Sequence, residues 1–172
     1  ITADQTLKVS IKDASAKDSW AQKVLVKNVL FKEVTSSNEI SYAQKETDFV
    51  DFNIQKLIPH KLSEYGPSLV AGDINGDGID VLVSGGSAGN SAQIFFQKNV
   101  GTFSQKSLIP DSKLSSKNWD DMGVLLFDAD GDGDQDLYVV SGGFENDPDS
   151  PSYSDHFYVN DGKGNYTEKE NI

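Results

Sequence analysis

The hydrophobic positions of this chain form short runs, and many of these runs alternate with polar positions before they stop at glycine, asparagine or proline. This pattern is typical of half-buried β-strands, because successive side chains of a strand point to opposite faces of a sheet. In the first part of the chain the pattern predicts a strand over Leu7–Ile11 and one or two strands over Val24–Phe31, with a continuation to Thr35.

From Ser68 onward the runs predict two repeats, each of four short antiparallel strands. The predicted strands are Leu69–Ala71, Val81–Ser84, Gln93–Gln97 and Thr102–Ser107, followed by Val124–Phe127, Leu137–Ser141, His156–Asn160 and Tyr166–Lys169. Asp161-Gly162 is a strong hairpin signal between the last two strands. The first aspartates of the two repeats, Asp73 and Asp128, are 55 residues apart. Repetition at this period is typical of propeller blades.

We therefore predict an all-β fold of antiparallel four-stranded blades, arranged as a partial β-propeller of about two blades plus N-terminal strands. The predicted segments are residues 1–30, a lead-in at 31–67, a first blade at 68–118 and a second blade at 119–172. Within the lead-in, the apolar side chains of Asp48–Asn53 and Leu57–Leu62 predict a segment that packs on the body of the fold. His60 has no partner at metal-ligand spacing, which favours a surface or hydrogen-bonded histidine over a metal ligand.

An acidic, glycine-rich loop separates the first two strands of each repeat. The second loop, Asp128–Asp136, has an acidic side chain at every second position, and the first loop is the shorter relative Asp73–Asp80. Crowded carboxylates repel one another unless a hard cation binds them, and Ca²⁺ takes six to eight oxygen ligands. The glycines permit the backbone angles that such a loop needs. The pattern thus predicts two calcium sites, although ordinary Asp/Gly turns between strands are the alternative.

An EF-hand is excluded by its own ligand pattern. An EF-hand loop needs a glutamate at its twelfth position and a helix on each side. The twelfth residue is Ser84 when counted from Asp73 and Val139 when counted from Asp128, and the flanking segments are predicted strands.

Composition narrows the classes of partner. The formal charge is -12, the 15 Lys and Arg residues form no basic stripe, and there is no cysteine. The acidity argues against nucleic acids and anionic membrane surfaces, and the lack of cysteine excludes disulfides and thiolate metal sites. No apolar run reaches the length needed to cross a membrane.

The two loops resemble the calcium loops of FG-GAP/VCBS repeats, the repeats that build the propellers of integrin α-subunits and of many bacterial surface proteins. The resemblance rests on the segments Gly72–Gly78 and Phe127–Leu137 and on the hairpin Asn160–Tyr166. More narrowly, Thr47–Ser63 is similar to the lead-in of bacterial relatives of cartilage acidic protein, and Ala3–Val9 is similar to the end of the ASPIC/UnbV module.

The resemblance implies calcium ligands in both loops. They would be Asp128, Asp130, Asp132, the carbonyl of Asp134, and Asp136 in the second loop, and Asp73, Asn75, Asp77 and the carbonyl of Ile79 in the first. In the first loop Asp80 lies one residue before the closing position, which Val81 takes, so we expect that this loop has lost a residue. The second site is therefore expected to bind Ca²⁺ more tightly.

The resemblance also implies a function in binding, adhesion or scaffolding on the surface of a bacterial cell or outside it. The ligand, a protein or a glycan, is not identified by the sequence, and the chain is expected to continue into further blades or to self-associate. The alternative is a fragment of a carbohydrate-active enzyme built on a propeller. Its candidate acid and base would be Asp120 and Asp121, but neighbours in a strand point to opposite faces. Asp120 and Asp121 are therefore expected to be surface groups or to mark a strand boundary, and we predict no catalytic residue.

Overall fold

The computed structural model describes residues 31–99 and 101–169. The chain forms two compact units, Ile1–Glu33 and Val34–Ile172. The strand predicted over Leu7–Ile11, all but the last residue of the segment predicted over Val24–Phe31, and the resemblance at Ala3–Val9 lie outside the described residues. In the described part of the chain no helix is long and apolar enough to cross a membrane.

Two four-stranded antiparallel sheets make up the second unit, and in each sheet the strands pair in chain order. The first sheet contains β1 (Leu69–Gly72), β2 (Val81–Ser84), β3 (Gln93–Asn99) and β4 (Thr102–Ser107), and the second contains β5 (Asp120–Phe127), β6 (Asp136–Gly142), β7 (His156–Asn160) and β8 (Tyr166–Lys169). Short 3-10 helices cover Ser36–Asn38, Asp51–Asn53, Asp111–Ser116 and Pro151–Tyr153. The prediction of two antiparallel four-stranded sheets is confirmed.

The core lies between the facing sides of the two sheets. From the first sheet and its loop it contains the buried side chains of Ile74, Val81, Val83 and Ile94, and from the second Leu137, Val139 and Tyr158. The spacing of two along β2 and β6 is what alternation predicts, because these side chains share one face of their strand. Each buried aliphatic side chain contributes about 1.5 to 3 kcal/mol, so this shared core holds the two sheets together.

The predicted continuation of a strand to Thr35 is wrong. Residues 31–35 form no strand. The carbonyls of Val34 and Thr35 instead accept hydrogen bonds from Asn38 and Ile40, at 3.0 and 3.2 Å. A turn has taken the backbone acceptors that a sheet would have used.

The lead-in attaches to the first sheet through its earlier half. The Tyr42 ring packs edge-on against Phe95, with ring centroids 5.7 Å apart. Its hydroxyl donates to the Gly85 carbonyl at 3.4 Å, and the Ser87 hydroxyl donates to the Lys45 carbonyl.

The later half of the lead-in differs from the prediction. Leu57 is 98% exposed and Phe52 is also exposed, so these apolar side chains do not anchor it. The buried group is the carboxylate of Asp51, which accepts hydrogen bonds from the backbone N–H groups of Leu62 and Ser63. Hydrogen bonds from backbone N–H groups to the Asp51 carboxylate, rather than burial of apolar side chains, therefore order this part of the lead-in.

Candidate metal centre

The second acidic loop connects β5 to β6 and is closed by the pairing of Phe127 with Asp136. Gly131 and Gly133 adopt φ values of 80° and 94°. These left-handed conformations are costly for residues with a side chain, so glycine is required at both positions.

Backbone donors fold this loop about its own carboxylates. The two oxygens of Asp128 accept from the N–H groups of Gly131 and Gly133 at 2.7 and 3.1 Å. Asp130 accepts from Asp132 N–H at 3.3 Å, and Asp132 accepts from Asp134 N–H at 3.1 Å. These hydrogen bonds hold the carboxylates of Asp128, Asp130 and Asp132 within one tight loop.

Asp136 closes the loop from the interior of the protein. Its side chain is fully buried. One oxygen accepts from Ala129 N–H at 3.0 Å and the other from Asn160 N–H at 2.9 Å. The burial fixes this carboxylate at the base of the loop.

Three carboxylates converge in this loop. One oxygen from each of Asp128, Asp130 and Asp136 lies within 4.8 Å of the other two. Oxygen ligands of Ca²⁺ lie about 2.3 to 2.6 Å from the ion, so ligands on opposite sides are about 5 Å apart. The three oxygens can therefore reach one ion.

Asp134 provides a test of whether a cation fits. Its Oδ1 atom is buried and has no hydrogen-bond partner. Burial raises the pKa of this carboxyl, and the neighbouring Asp132, Asp136 and Asp130 raise it further. A buried oxygen without a donor is costly, and a cation would offset both that cost and the repulsion. Because the candidate metal ligands in the loop are all oxygen atoms, the residues present fit a hard divalent cation such as Ca²⁺.

The first loop has a related hydrogen-bond pattern. Asp73 accepts from Asn75, Gly76 and Asp77 N–H through Oδ1 and from Gly78 N–H through Oδ2, at distances of 2.8 to 3.3 Å. The Gly78 hydrogen bond, supported by those of the other three residues, lowers the pKa of Asp73. Asp73 thus has the same structural role here as Asp128 has in the second loop.

The expectation that the first loop has lost a residue is wrong. Gly72 pairs with Val81 as Phe127 pairs with Asp136, so the two loops have equal length. Val81 replaces the closing carboxylate and is buried in the core. Asp80 is exposed, at the position that Gln135 has in the second loop.

The first loop accordingly brings fewer carboxylates together. Among the described residues, Asp73, Asp77 and Asp80 do not form a group of three carboxylates that could share an ion. The Oδ1 atom of Asn75 is buried without a hydrogen-bond partner and is available as a neutral ligand. Ile79, whose carbonyl is the remaining candidate ligand, is followed directly by the exposed Asp80. The Ile79 N–H donates to the Asp77 carboxylate at 2.8 Å.

The candidate acid–base pair lies at the start of β5, so the expectation of a strand boundary is confirmed and the expectation of surface groups is wrong. Asp120 and Asp121 are both buried, and β5 has an irregularity between Asp121 and Gly123. Asp120 accepts from Ala88 N–H at 2.8 Å, and Asp121 accepts from Gly86 N–H at 2.7 Å. The two neighbouring carboxylates thus both reach the loop that follows β2 in the first sheet.

This contact also accounts for the glycine pair Gly85-Gly86, which directly follows β2. A side chain at Gly85 would lie 2.8 Å from the Asp121 carbonyl, and one at Gly86 would lie 2.3 Å from the Asn90 carbonyl. The pair therefore permits a tight corner against the second sheet, and the Gly86 N–H is used within the fold. His60 is exposed and hydrogen-bonded to the Tyr65 hydroxyl, as the sequence indicates.

Two residues form buried contacts in this region that no pattern in the sequence predicts. Lys117 follows two serines in a polar stretch, yet it is buried and lies 3.2 Å from Asp121. Asn160 is the last residue of β7, yet its side chain contacts both acidic loops. Only the Asp161-Gly162 turn that follows Asn160 marks that position as structurally special.

Comparison with known proteins identifies one family in this region. Residues 73–139 match the model of the FG-GAP-like repeat. The match begins at the first aspartate of the first loop and extends through the second loop into β6. No curated protein and no solved structure gives a match, so the narrower resemblance to relatives of cartilage acidic protein has no support. The chain contains an FG-GAP-like repeat in two antiparallel four-stranded sheets.

Proposed function

We propose that this FG-GAP-like region is part of a calcium-stabilised β-propeller module that serves binding, adhesion or scaffolding. The observation that carries the proposal is the convergence of Asp128, Asp130 and Asp136 at the turn between two strands of a blade. The proposed setting is the surface of a bacterial cell or the space outside it. Extracellular modules commonly have calcium sites with dissociation constants of about 10⁻⁴ to 10⁻³ M, which suits loops as exposed as these.

In the second loop the proposed ligands are the side chains of Asp128, Asp130, Asp132 and Asp136 and the carbonyl of Asp134. In the first loop they are Asp73, Asn75, Asp77 and the carbonyl of Ile79. Calcium would neutralise the clustered negative charge, and the hydrogen bonds within each loop would keep the ligands in place. The proposed role of the ion is structural, because it would fix the junction of two strands.

No contact in the described residues favours the enzyme alternative. Asp120 and Asp121 are buried and each accepts a backbone hydrogen bond from the first sheet. A general acid or base must reach the proton that it transfers in a bound substrate. These two carboxylates are instead part of the contact between the sheets.

The outer face of the second sheet supports a larger assembly. Leu125, Phe127 and Val140 are 54%, 39% and 41% exposed. Their neighbours Val124 and Leu126 pack against the core, so Leu125 and Phe127 point away from it. We propose that another blade covers this face, either from a second copy or from a longer parent chain.

Sedimentation velocity at increasing protein concentration tests whether a second copy covers this face. We expect concentration-dependent association that is weakened by Leu125→Ser, because the substitution removes apolar area from the interface. Leu57→Ser is the matched control, since Leu57 is exposed in the lead-in and is not one of the side chains of this face. A chain that remains monomeric throughout, or that responds equally to both substitutions, would contradict self-association through this face.

The two loops should differ in calcium affinity. The first loop has Asn75 and Val81 where the second has Asp130 and Asp136, and ligand charge tunes affinity. Calorimetric titration with Ca²⁺ should therefore show a tighter event that Asp132→Ala abolishes and that Asp77→Ala leaves in place. Loss of the tighter event in Asp77→Ala, with the event intact in Asp132→Ala, would reverse this ranking. A titration without any binding would contradict the calcium proposal itself.

A further inference from the structure

The side chain of Asn160 joins the two acidic loops. Its Nδ2 group donates to the Ile74 carbonyl at 2.7 Å and to the Gln135 carbonyl at 3.0 Å. Its Oδ1 atom accepts from Asp161 N–H at 2.9 Å and from Gly164 N–H at 3.1 Å. Asn160 is 5% exposed, so this buried amide uses two donors and two acceptor positions within the protein.

Both carbonyls held by Asn160 belong to peptide groups between proposed ligands. Ile74 lies between Asp73 and Asn75 in the first loop, and Gln135 lies between Asp134 and Asp136 in the second. The backbone N–H of Asn160 also donates to Asp136 at 2.9 Å. Asn160 therefore contacts each loop at a residue that lies between two proposed calcium ligands.

The surroundings leave this amide little freedom to move. Ile74 is fully buried in the core. A side chain at Gly164 would lie 2.9 Å from the Phe96 ring and 3.3 Å from Ile74, so the hairpin after Asn160 is packed against the first sheet. The Tyr166 hydroxyl donates a second hydrogen bond to the Gln135 carbonyl at 3.1 Å. A displacement of either loop would thus be transmitted to Asn160.

We propose that Asn160 is a positioning residue that couples the two loops, so that calcium bound in the second loop also orders the first. The inference rests on the proposed calcium binding by the second loop. Calcium would fix the Gln135 peptide through its neighbours Asp134 and Asp136, and Asn160 would then fix the Ile74 peptide. Ordering of one segment lowers the entropy cost of ordering another that is coupled to it, and couplings between sites are commonly about 5- to 150-fold.

Amide hydrogen exchange measures this coupling without requiring the first loop to bind calcium. Gly78 N–H donates to Asp73 in the first loop, and Gly133 N–H donates to Asp128 in the second. At a Ca²⁺ concentration that fills only the second loop, we expect exchange of both amides to slow, with Gly78 slowed about fivefold or more. In Asp132→Ala at the same concentration neither amide should respond, which shows that the effect on Gly78 originates in the second loop.

Asn160→Asp tests the residue itself. The carboxylate keeps the shape and the acceptors for Asp161 and Gly164, but it has no donor for the Ile74 and Gln135 carbonyls. We expect calcium still to slow the amide exchange of Gly133. The exchange rate of Gly78 should change by less than about twofold on addition of calcium, well below the fivefold change expected for the unaltered chain. Tyr166→Phe is the matched control, because it removes a hydrogen bond to the second loop only and should leave the Gly78 response intact. If the carboxylate prevents folding, Asn160→Ala removes the same two donors with a smaller side chain that has no donor of its own.

The possible failures are distinguishable. Slowing of Gly133 without slowing of Gly78 in the unaltered chain would contradict the coupling alone. An equal Gly78 response in the unaltered chain and in the Asn160 variant would contradict the role of Asn160. No response of either amide at any Ca²⁺ concentration would contradict the proposed function, and the coupling with it.

Discussion

Replacing Asp136 with alanine is expected to lower the free energy of unfolding by roughly 1 to 3 kcal/mol even in the presence of a chelator. Asp136 is fully buried, and its two oxygens accept the backbone hydrogen bonds of Ala129 and Asn160. The substitution leaves the buried N–H group of Asn160 without its acceptor, at a cost of about 1 to 3 kcal/mol, whereas water can reach the exposed Ala129. Relief of repulsion from Asp128 and Asp130 offsets part of this loss. Urea unfolding monitored by tryptophan fluorescence would measure it.

Asp130→Ala is the matched control for this effect. Asp130 belongs to the same group of three carboxylates, but its side chain is exposed. Both substitutions should weaken calcium binding, while only Asp136→Ala should destabilise the chain in chelator. Equal stabilities of the two variants in chelator would show that Asp136 has no structural role beyond its contribution to the metal site.

Replacing Asp121 with alanine should lower the free energy of unfolding by about 3 to 5 kcal/mol, because it leaves a buried charge without its partner. Lys117 Nζ lies 3.2 Å from Asp121, and both side chains are buried. The same ammonium donates to the carbonyls of Ser87 and Trp119 at 2.9 and 2.8 Å. Burial lowers the pKa of Lys117, and the charge of Asp121 opposes that shift. The substitution therefore removes the main charge that keeps this lysine protonated, and also the acceptor for Gly86 N–H.

The exposed ion pair between Lys61 and Asp48 provides the comparison for the buried one. Its atoms are 3.1 Å apart, and the Asp48 side chain is 89% exposed. Exposed pairs contribute about 0 to 1 kcal/mol, so Asp48→Ala should have little effect in the same urea experiment. A loss in Asp121→Ala no larger than that in Asp48→Ala would contradict the view that the buried pair stabilises the contact between the sheets.

Local patterns predicted most of the strands in the two sheets. The bounds of Val81–Ser84, Thr102–Ser107, His156–Asn160 and Tyr166–Lys169 agree with the structure. Alternation and turn residues suffice here, because each strand pairs with its neighbour in the chain and each turn is marked by glycine or aspartate. The acidic loops were also found from spacing alone, since their glycines and aspartates are adjacent in sequence.

Long-range contacts explain what the sequence could not predict. The burial of Asp120 and Asp121 depends on the loop at Gly86 and Ala88 in the other sheet, and no local pattern marks that contact. The equal lengths of the two loops, by contrast, follow from the sequence, since Val81 stands as far after Asp73 as Asp136 stands after Asp128. The exposure of Leu57 reflects the absence of a packing partner within the described fold, which composition does not reveal.

The most direct test of calcium stabilisation is the thermal unfolding midpoint of the unaltered chain in Ca²⁺ and in chelator. A ligand that binds only the native state stabilises it by about 2.7 kcal/mol at 100 times its dissociation constant. For a chain of this length such a change raises the midpoint by roughly 5 to 10 °C, and Asp132→Ala should lose most of the rise. A midpoint that rises with Ca²⁺ in this way is the result that the account predicts. Identical midpoints in saturating Ca²⁺ and in chelator would contradict it.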